Sequence, residues 1–494
     1  MMRKRNRLVA LGDVASLLLL GLLVCGCGGG GGGGDSTGSP APASNAAPTA
    51  AFTTTPSSGA APLAVQLDAS GSSDRDGSVT TYSWDFGDGS AKGSGSTISH
   101  TFSAAGTYTV TLSVADNVGA TGSTTRVVSA SAPTSQLKVT GIDNGDMSVC
   151  AVGLDGGAWC WGPNNFGQLG TGDVAQAFTP RSAAQGYLFR KVSVSTGGAF
   201  TCGITTAGLA YCWGNQEGGR LGDGTAAPSG QYTTTPLAVS GGRIFTDIAV
   251  GGDHACGIAT GGAAYCWGHN ERGQLGTGNF ANSAVPVAVS GGLTFRSITT
   301  HQMVTCGIAE DGSGYCWGNG GEGNLGSGTT SSTNVPVTIK GGLRFSSLQL
   351  GLLTACGVTN GAEGYCWGSN GSGELGIGSK TPAVALEPTR VVGGHAWKSI
   401  SPGVMVTCGV TTDGRGYCWG GNAWGERGDG PFPAPDVTSP VPIVGDLVFD
   451  AIDADWCSCG VASSVAYCWG PGAEGCIGDG VKANRGVPTP VAGP

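Results

Sequence analysis

Residues 264–279 read AYCWGHNERGQLGTGN. A cysteine, a tryptophan and a glycine-spaced loop packed so closely suit a metal, redox or phosphate site, yet this stretch is one of seven copies. Cysteines 150, 202, 256, 306, 356, 408 and 459 open units spaced 50 to 54 residues apart. Each unit then carries a second cysteine followed by Trp-Gly, the tryptophans being Trp161, Trp213, Trp267, Trp317, Trp367, Trp419 and Trp469. Eight residues past each tryptophan stands Leu169, Leu221, Leu275, Leu325, Leu375, Arg427 or Ile477, so the pattern is W-G-x-x-x-x-G-x-L-G-x-G with Arg427 as the polar exception. A fixed period of this length marks supersecondary units that cannot bury an apolar face alone and do so by stacking.

The cysteine spacing is C-x9-C in six units, with β-type residues on either side of a short turn. Folding such a segment into an antiparallel hairpin places its two cysteines opposite each other, close enough for a disulfide. The expected pairs are Cys150-Cys160, Cys202-Cys212, Cys256-Cys266, Cys306-Cys316, Cys356-Cys366 and Cys408-Cys418. In the seventh unit, Cys459-Cys468 has one residue fewer, and a two-residue turn at Ser463-Ser464 restores the facing register. Cys457 and Cys476 are left in that same unit, available to each other. Zinc needs four convergent ligands and one hairpin offers two, so no metal is expected here. A phosphate cradle is equally poor, because phosphate fingerprints need a strand leading into a helix and no helical period follows GQLGTG.

The repeat, with the leading VSGGLTF and IKGGLRF segments, resembles the repeats of the regulator-of-chromosome-condensation family, which form seven-bladed β-propellers. Kelch repeats share the period but place their glycines and tryptophan differently. The resemblance implies a closed propeller over residues 137–494, with each tryptophan packed between blades. The first unit lacks the P-x-x-V strand found elsewhere, and PTPV at 488–491 supplies one, so the C-terminal strand is expected to complete the first unit's sheet and hide its open edge.

Ahead of the repeats, the chain divides by composition. MMRKRNR and the short apolar run VASLLLLGLLV form an export signal over residues 1–26. The following CGCGGGGGGGD resembles the lipobox of bacterial lipoproteins, which makes Cys27, after the small Gly26, the expected lipidation site. With Cys25 and Cys27 removed, sixteen of the eighteen cysteines remain for pairing in an oxidising compartment. Residues 27–46 are a Gly/Ser/Pro/Ala tether. Residues 47–130 alternate β-type runs with Asp/Gly/Ser turns, and DASGSSDRDGSVTTYSWDFGDGS with HTFSAAGTYTVTLSVADNVG resembles a polycystic-kidney-disease (PKD) domain, implying a β-sandwich around Trp84. Asp68, Asp74, Asp76 and Asp88 are its candidate Ca²⁺ ligands, set against turn hydrogen bonding by the same side chains. Residues 131–136 are a linker. The fold class is therefore all-β, a PKD-type sandwich followed by the propeller.

A formal charge of −9 removes the basic balance that nucleic acid demands. The five histidines, at 100, 254, 269, 301 and 395, share no register, and His254 reads as a surface residue near a turn. Export and uniform repeats also argue against the family's guanine-nucleotide exchange, since nothing is inserted to act as an interaction wedge. Three residues before each opening cysteine stand Met147, Ala199, Asp253, Met303, Leu353, Met405 and Trp456, a candidate ring at one mouth of the channel, with Trp424 as a loop anchor. The same register is also compatible with packing between blades. The expected function is a monomeric, lipid-anchored envelope protein, outer-membrane where the host has one, that binds a protein or glycan. It touches the membrane only through its lipid. The alternative is an exported polysaccharide enzyme using Asp311, Glu322 or Asp413.

Overall fold

The computed structural model describes residues 45–493, except 62, 103–104, 132–134 and 198. The export signal, Cys25, Cys27 and nearly all of the tether lie outside the described residues. Among those described, every regular element is a strand.

Residues 53–131 form two sheets. Thr53–Thr55, Leu63–Asp68 and Thr97–Phe102 make one, and Ser58–Ala60, Val79–Asp85, Gly93–Ser94, Gly106–Asp116 and Thr121–Ser131 the other. Alternate side chains of Leu63–Asp68 point inward, and Val110, Leu112 and Val114 do the same from Gly106–Asp116. Between the sheets lies Trp84, fully buried, edge-on to Phe52 at 5.1 Å, with its indole N–H donated to the Gly95 carbonyl.

From Val139 onward, seven four-stranded antiparallel sheets follow one another, each built from four consecutive strands. The third serves as the example: Phe245–Val250, His254–Ala259, Ala264–Gly268 and Ser283–Ala288. Its middle hairpin sets Cys256 opposite Cys266. All seven hairpins carry their disulfide, with Cα atoms 4.0 to 4.2 Å apart, the narrow spacing of a non-hydrogen-bonded pair. In the seventh hairpin, Ser463 and Ser464 both take positive φ, 50° and 63°, which is how a two-residue turn keeps Cys459 facing Cys468. Cys457 and Cys476 are also joined.

Each tryptophan reaches back to its neighbour. The indole N–H of Trp213 donates to the Gln168 carbonyl, Trp267 to Arg220, Trp317 to Gln274, Trp367 to Asn324, Trp419 to Glu374 and Trp469 to Glu426. Trp161 makes the same bond with Cys476 of the seventh sheet. The L-G of the repeat follows from this contact. Gly276 has φ +67°, and a Cβ there would stand 2.7 Å from the Trp317 indole nitrogen.

The C-terminal strand does not complete the first sheet as the sequence suggests. Arg485–Pro490 pairs with Val465–Gly470 in the seventh sheet, while the first holds four strands of its own, Val139–Gly145, Ser148–Gly153, Ala158–Gly162 and Ala177–Ala183. Residues 177–183 already fill the edge position that the P-x-x-V segments occupy in the other sheets, so no strand is missing. The two sheets meet side by side instead: Leu137 N–H donates to Val491 O and Ala466 N–H to Leu137 O.

Candidate functional site

The first strand of each sheet leaves one edge unpaired, and the first strands of neighbouring sheets lie against one another. Backbone groups on an unpaired edge need partners. Side chains supply them at one register. Asp143 accepts the Val194 N–H (2.7 Å), Ser193 that of Val250 (3.2 Å), Ser401 that of Ala454 (3.2 Å) and Asp453 that of Asn144 (2.9 Å). Lys191 donates to Asp247 across the second and third sheets at 2.7 Å. Burial works against the charge on Lys191, but Asp247, with Asp143 and Asp453 behind it, outweighs burial and holds its pKa above the ordinary lysine value. Burial, reinforced by Asp453, pushes Asp143 up, and burial likewise raises Asp453.

Asp143 thus holds its proton to higher pH in the folded chain than in the unfolded one, where it leaves near the ordinary value of 3.8. Above that value the native state binds more protons, so this site's contribution to stability falls as pH rises toward the folded pKa. An amide at this position would have no proton to lose and could still accept from Val194. Asp143→Asn is expected to match the parent in urea unfolding at pH 4 and to exceed it by about 1 kcal/mol at pH 7. Equal stability at both pH values would show that the carboxyl is not held protonated.

The candidate ring residues sit where the sequence places them, one in each turn between first and second strands, but they do not make a continuous apolar ring. Met303, Leu353 and Met405 are exposed. Met147 is partly buried against the core between the first and seventh sheets, which is the packing role the same register allows. Asp253 pairs with Arg220 at 3.0 Å, and Ala199 has little surface to offer. What the fold brings together is Met405, Trp456 and Trp424, which line one cavity of about 220 Å³ at a single end of the sixth and seventh sheets. Val404, Ala423, Pro433 and Ala434 complete its apolar walls, and Glu426, Asp436 and Asp455 bring acid to it.

Arg427 builds this pocket. Its backbone N–H bonds Asn422 Oδ1 at 3.2 Å, the bond that Leu169, Leu275 and Leu375 make with their own asparagines. Its guanidinium is buried and grips the loop: Nε bonds Asp429 (2.9 Å), while Nη1 bonds the carbonyls of Pro435 (2.6 Å) and Gly420 (3.2 Å). The loop bearing Pro433, Ala434 and Asp436 is thereby fixed opposite Met405. On the far wall, the Cys457–Cys476 disulfide ties down the residue after Trp456.

Other candidates stay apart. Asp311 and Asp413 occupy hairpin turns of the fourth and sixth sheets, exposed, with pKa values lowered by hydrogen bonds from Ser313 and Thr411 respectively. Glu322 lies beyond Gly314–Gly318, at the opposite end of its sheet from Asp311, so these carboxyls cannot act as an acid-base pair. His254 is not on the surface. It opens the second strand of its sheet, is fully buried with Nε2 2.8 Å from Thr305 Oγ1, and is pushed down to about 3 by burial. In the sandwich, Asp68 accepts from Ser70 N–H, and Asp88 from Ser90 and His100. Among the described residues no three His, Cys, Asp or Glu side chains gather to hold a metal ion, Asp74 and Asp76 included. Asp68 and Asp88 bond their own turns, whereas both carboxylate oxygens of Asp74 are buried without a hydrogen-bond partner among the described residues.

Comparison with known proteins bears on both parts. The PKD domain model matches residues 45–130. The Regulator of chromosome condensation (RCC1) repeat model matches residues 155–204, 207–258, 261–308 and 311–351, and a second RCC1 repeat model matches 245–274. The Ultraviolet-B receptor UVR8 of Arabidopsis thaliana is 30% identical over 149 residues, 30% of this chain and 33% of that protein. The E3 ubiquitin-protein ligase HERC2 of Homo sapiens is 31% identical over 136 residues, 27% of this chain and 3% of the ligase. The chain thus spans a third or less of the length of these two relatives. Among solved structures, Prp20p of Saccharomyces cerevisiae superposes with a TM-score of 0.60 at 21% identity, covering 73% of this chain and 87% of that one. Human WBSCR16 gives 0.61 at 16% identity, covering 68% and 95%. The fold over the repeats is that of an RCC1-type β-propeller.

Proposed function

We propose that this chain, which carries a PKD domain followed by RCC1 repeats, is a non-catalytic interaction protein of the bacterial cell envelope. Its propeller closes as seven blades and takes a protein partner at the pocket of Met405, Trp424 and Trp456. The PKD domain serves as a spacer or auxiliary contact, and a lipid on Cys27 supplies the only membrane attachment. The observation that carries the reading is the convergence of those three side chains, with Met405 53% and Trp424 44% exposed. Large apolar groups at the centre of a rigid, concave surface are the usual anchors of protein recognition. Solved relatives favour protein over glycan, since one is described as yeast RCC1 bound to Kap60 and another as binding Gsp1p and histones.

The test is cross-linking in intact envelopes followed by fractionation. The parent chain is expected in the membrane fraction, joined to a partner protein. Met405→Asp with Trp424→Ala should keep the melting temperature within a few degrees and lose that partner. Cys27→Ser should move the chain to the soluble fraction. A partner retained by the double variant would overturn the pocket as the contact, and a membrane-bound Cys27→Ser chain would overturn the anchor.

A further inference from the structure

The pocket collects what the repeats do not share. At the loop position of Trp424 the other units carry Phe166, Gly218, Arg272, Glu322, Ser372 and Glu474. Arg427 stands where five units have leucine and one isoleucine, and Cys457–Cys476 is, among the described residues, the single disulfide outside the hairpins. Trp424 lines one cavity, and Arg427 and Cys457 directly follow its lining residues Glu426 and Trp456.

Its lining has a definite polarity. Met405, Trp424 and Trp456 form an apolar mouth, with Val404, Ala423 and Pro433 beside them. Glu426 and Asp455 lie among these walls, and Asp436 carries Lys380 at 2.7 Å. Glu426 accepts the Trp424 N–H at 2.9 Å, and Asp455 accepts the Asp146 N–H at 3.1 Å. His301 faces Asp455 at 3.8 Å, itself buried. No lysine or arginine is among the described lining residues. An occupant must bury a flexible apolar stem against the indoles and the thioether and present positive charge to the acids. A carboxylate or phosphate would meet like charge, and a purely aliphatic group would gain nothing from acids whose only full countercharge is Lys380 on Asp436.

We infer that the pocket takes a lysine or arginine side chain of the protein partner. The alkyl stem packs on Met405 and Trp456, the charged head meets Glu426 and Asp455, and the exposed Trp424 indole offers a π face to the cation. The chain's net charge of −9 attracts such a segment from a distance. Arg427 is the positioning residue, because its bonds to Pro435 and Gly420 hold the wall against which the stem lies. The inference rests on the pocket being the contact surface and adds the chemistry of what enters it.

The probes are three acetylated, amidated tripeptides, Ala-Lys-Ala, Ala-Arg-Ala and Ala-norleucine-Ala, titrated into the full chain by calorimetry. The norleucine peptide keeps the stem and removes the charge. A basic peptide is expected to bind about tenfold more tightly than the norleucine peptide, the difference shrinking as salt rises. Glu426→Gln with Asp455→Asn, which retains the accepting oxygens, should abolish that difference. Arg427→Leu takes the donor from the Gly420 and Pro435 carbonyls and the cation from Asp429, so it should lower the melting temperature by a few degrees, leave the propeller folded and lose basic-peptide binding. Equal binding of norleucine and basic peptides would overturn the cationic occupant while leaving the pocket as an apolar contact. Binding of a neutral oligosaccharide in place of any peptide, or of no probe at all, would overturn the inference. Unchanged peptide binding by Arg427→Leu would remove Arg427 from it. Because the partner cross-link in envelopes is read separately, a failed peptide preference and a failed pocket are told apart.

Discussion

Unfolded in reductant, the chain is expected to melt about 10 °C or more below the oxidised chain, since seven hairpin cross-links act on one domain. Each hairpin disulfide closes a loop of nine or ten residues, for which loop-closure entropy alone gives roughly 2 to 3 kcal/mol. Their effects overlap where sheets unfold together, so the sum is an upper bound. The cysteines are no more than 1% exposed, which keeps reductant from the native disulfides and makes reduction follow unfolding. The comparison is therefore between chains refolded with and without reductant, read by calorimetry. A single pair replaced, Cys306→Ala with Cys316→Ala, isolates one hairpin and should cost about 2 to 3 kcal/mol. Midpoints that agree within two degrees would show that the sheets hold their register without covalent help.

How far the sequence reaches depends on whether a residue's job repeats. Period and cysteine spacing make the hairpins legible, because two cysteines facing across a turn leave little freedom in register. Trp-Gly and L-G are legible for the same reason: each unit must pass the same loop beneath the next unit's indole. The joining of first and last sheets is not, since a P-x-x-V segment looks alike whether it completes its own sheet or another's. His254 misleads because a polar residue beside Asp253 near a turn looks exposed, whereas the first position of the second strand is buried at His254, as at Phe200 and Val304. The register of Asp143, Ser193 and Asp453 carries a faint signal, the polar residue after the aliphatic in GID, KVS and AID. Met147, Met405 and Trp456 share a register but not a role, and only side-chain packing separates them. Arg427 is visible as an exception, yet its meaning depends on carbonyls at Gly420 and Pro435 that a one-dimensional pattern does not bring near.

Trp317→Ala is expected to destabilise the propeller by about 3 to 5 kcal/mol, the range for a large aromatic deleted from a core. Trp317 is fully buried, 5.8 Å from the Phe295 ring, and its indole N–H meets Gln274 O at 2.9 Å in the preceding sheet. It joins two sheets that share no strand, so its loss acts on the coupling between them rather than on either hairpin. Trp317→Phe separates the two contributions. The ring remains, and the abandoned Gln274 carbonyl still accepts the Thr305 hydroxyl at 2.9 Å, so the cost should fall to about 1 to 2 kcal/mol. Gly276→Val attacks the same contact from the other side, where φ +67° and an indole nitrogen 2.7 Å from the new Cβ leave a branched side chain no unstrained position. If tryptophan and glycine serve one joint, the double variant Trp317→Ala with Gly276→Val should cost clearly less than the two single changes added, because the space vacated by the indole receives the valine. Strict additivity in urea unfolding would mean that the two residues stabilise the ring independently, and the W-G and L-G halves of the repeat would need separate explanations.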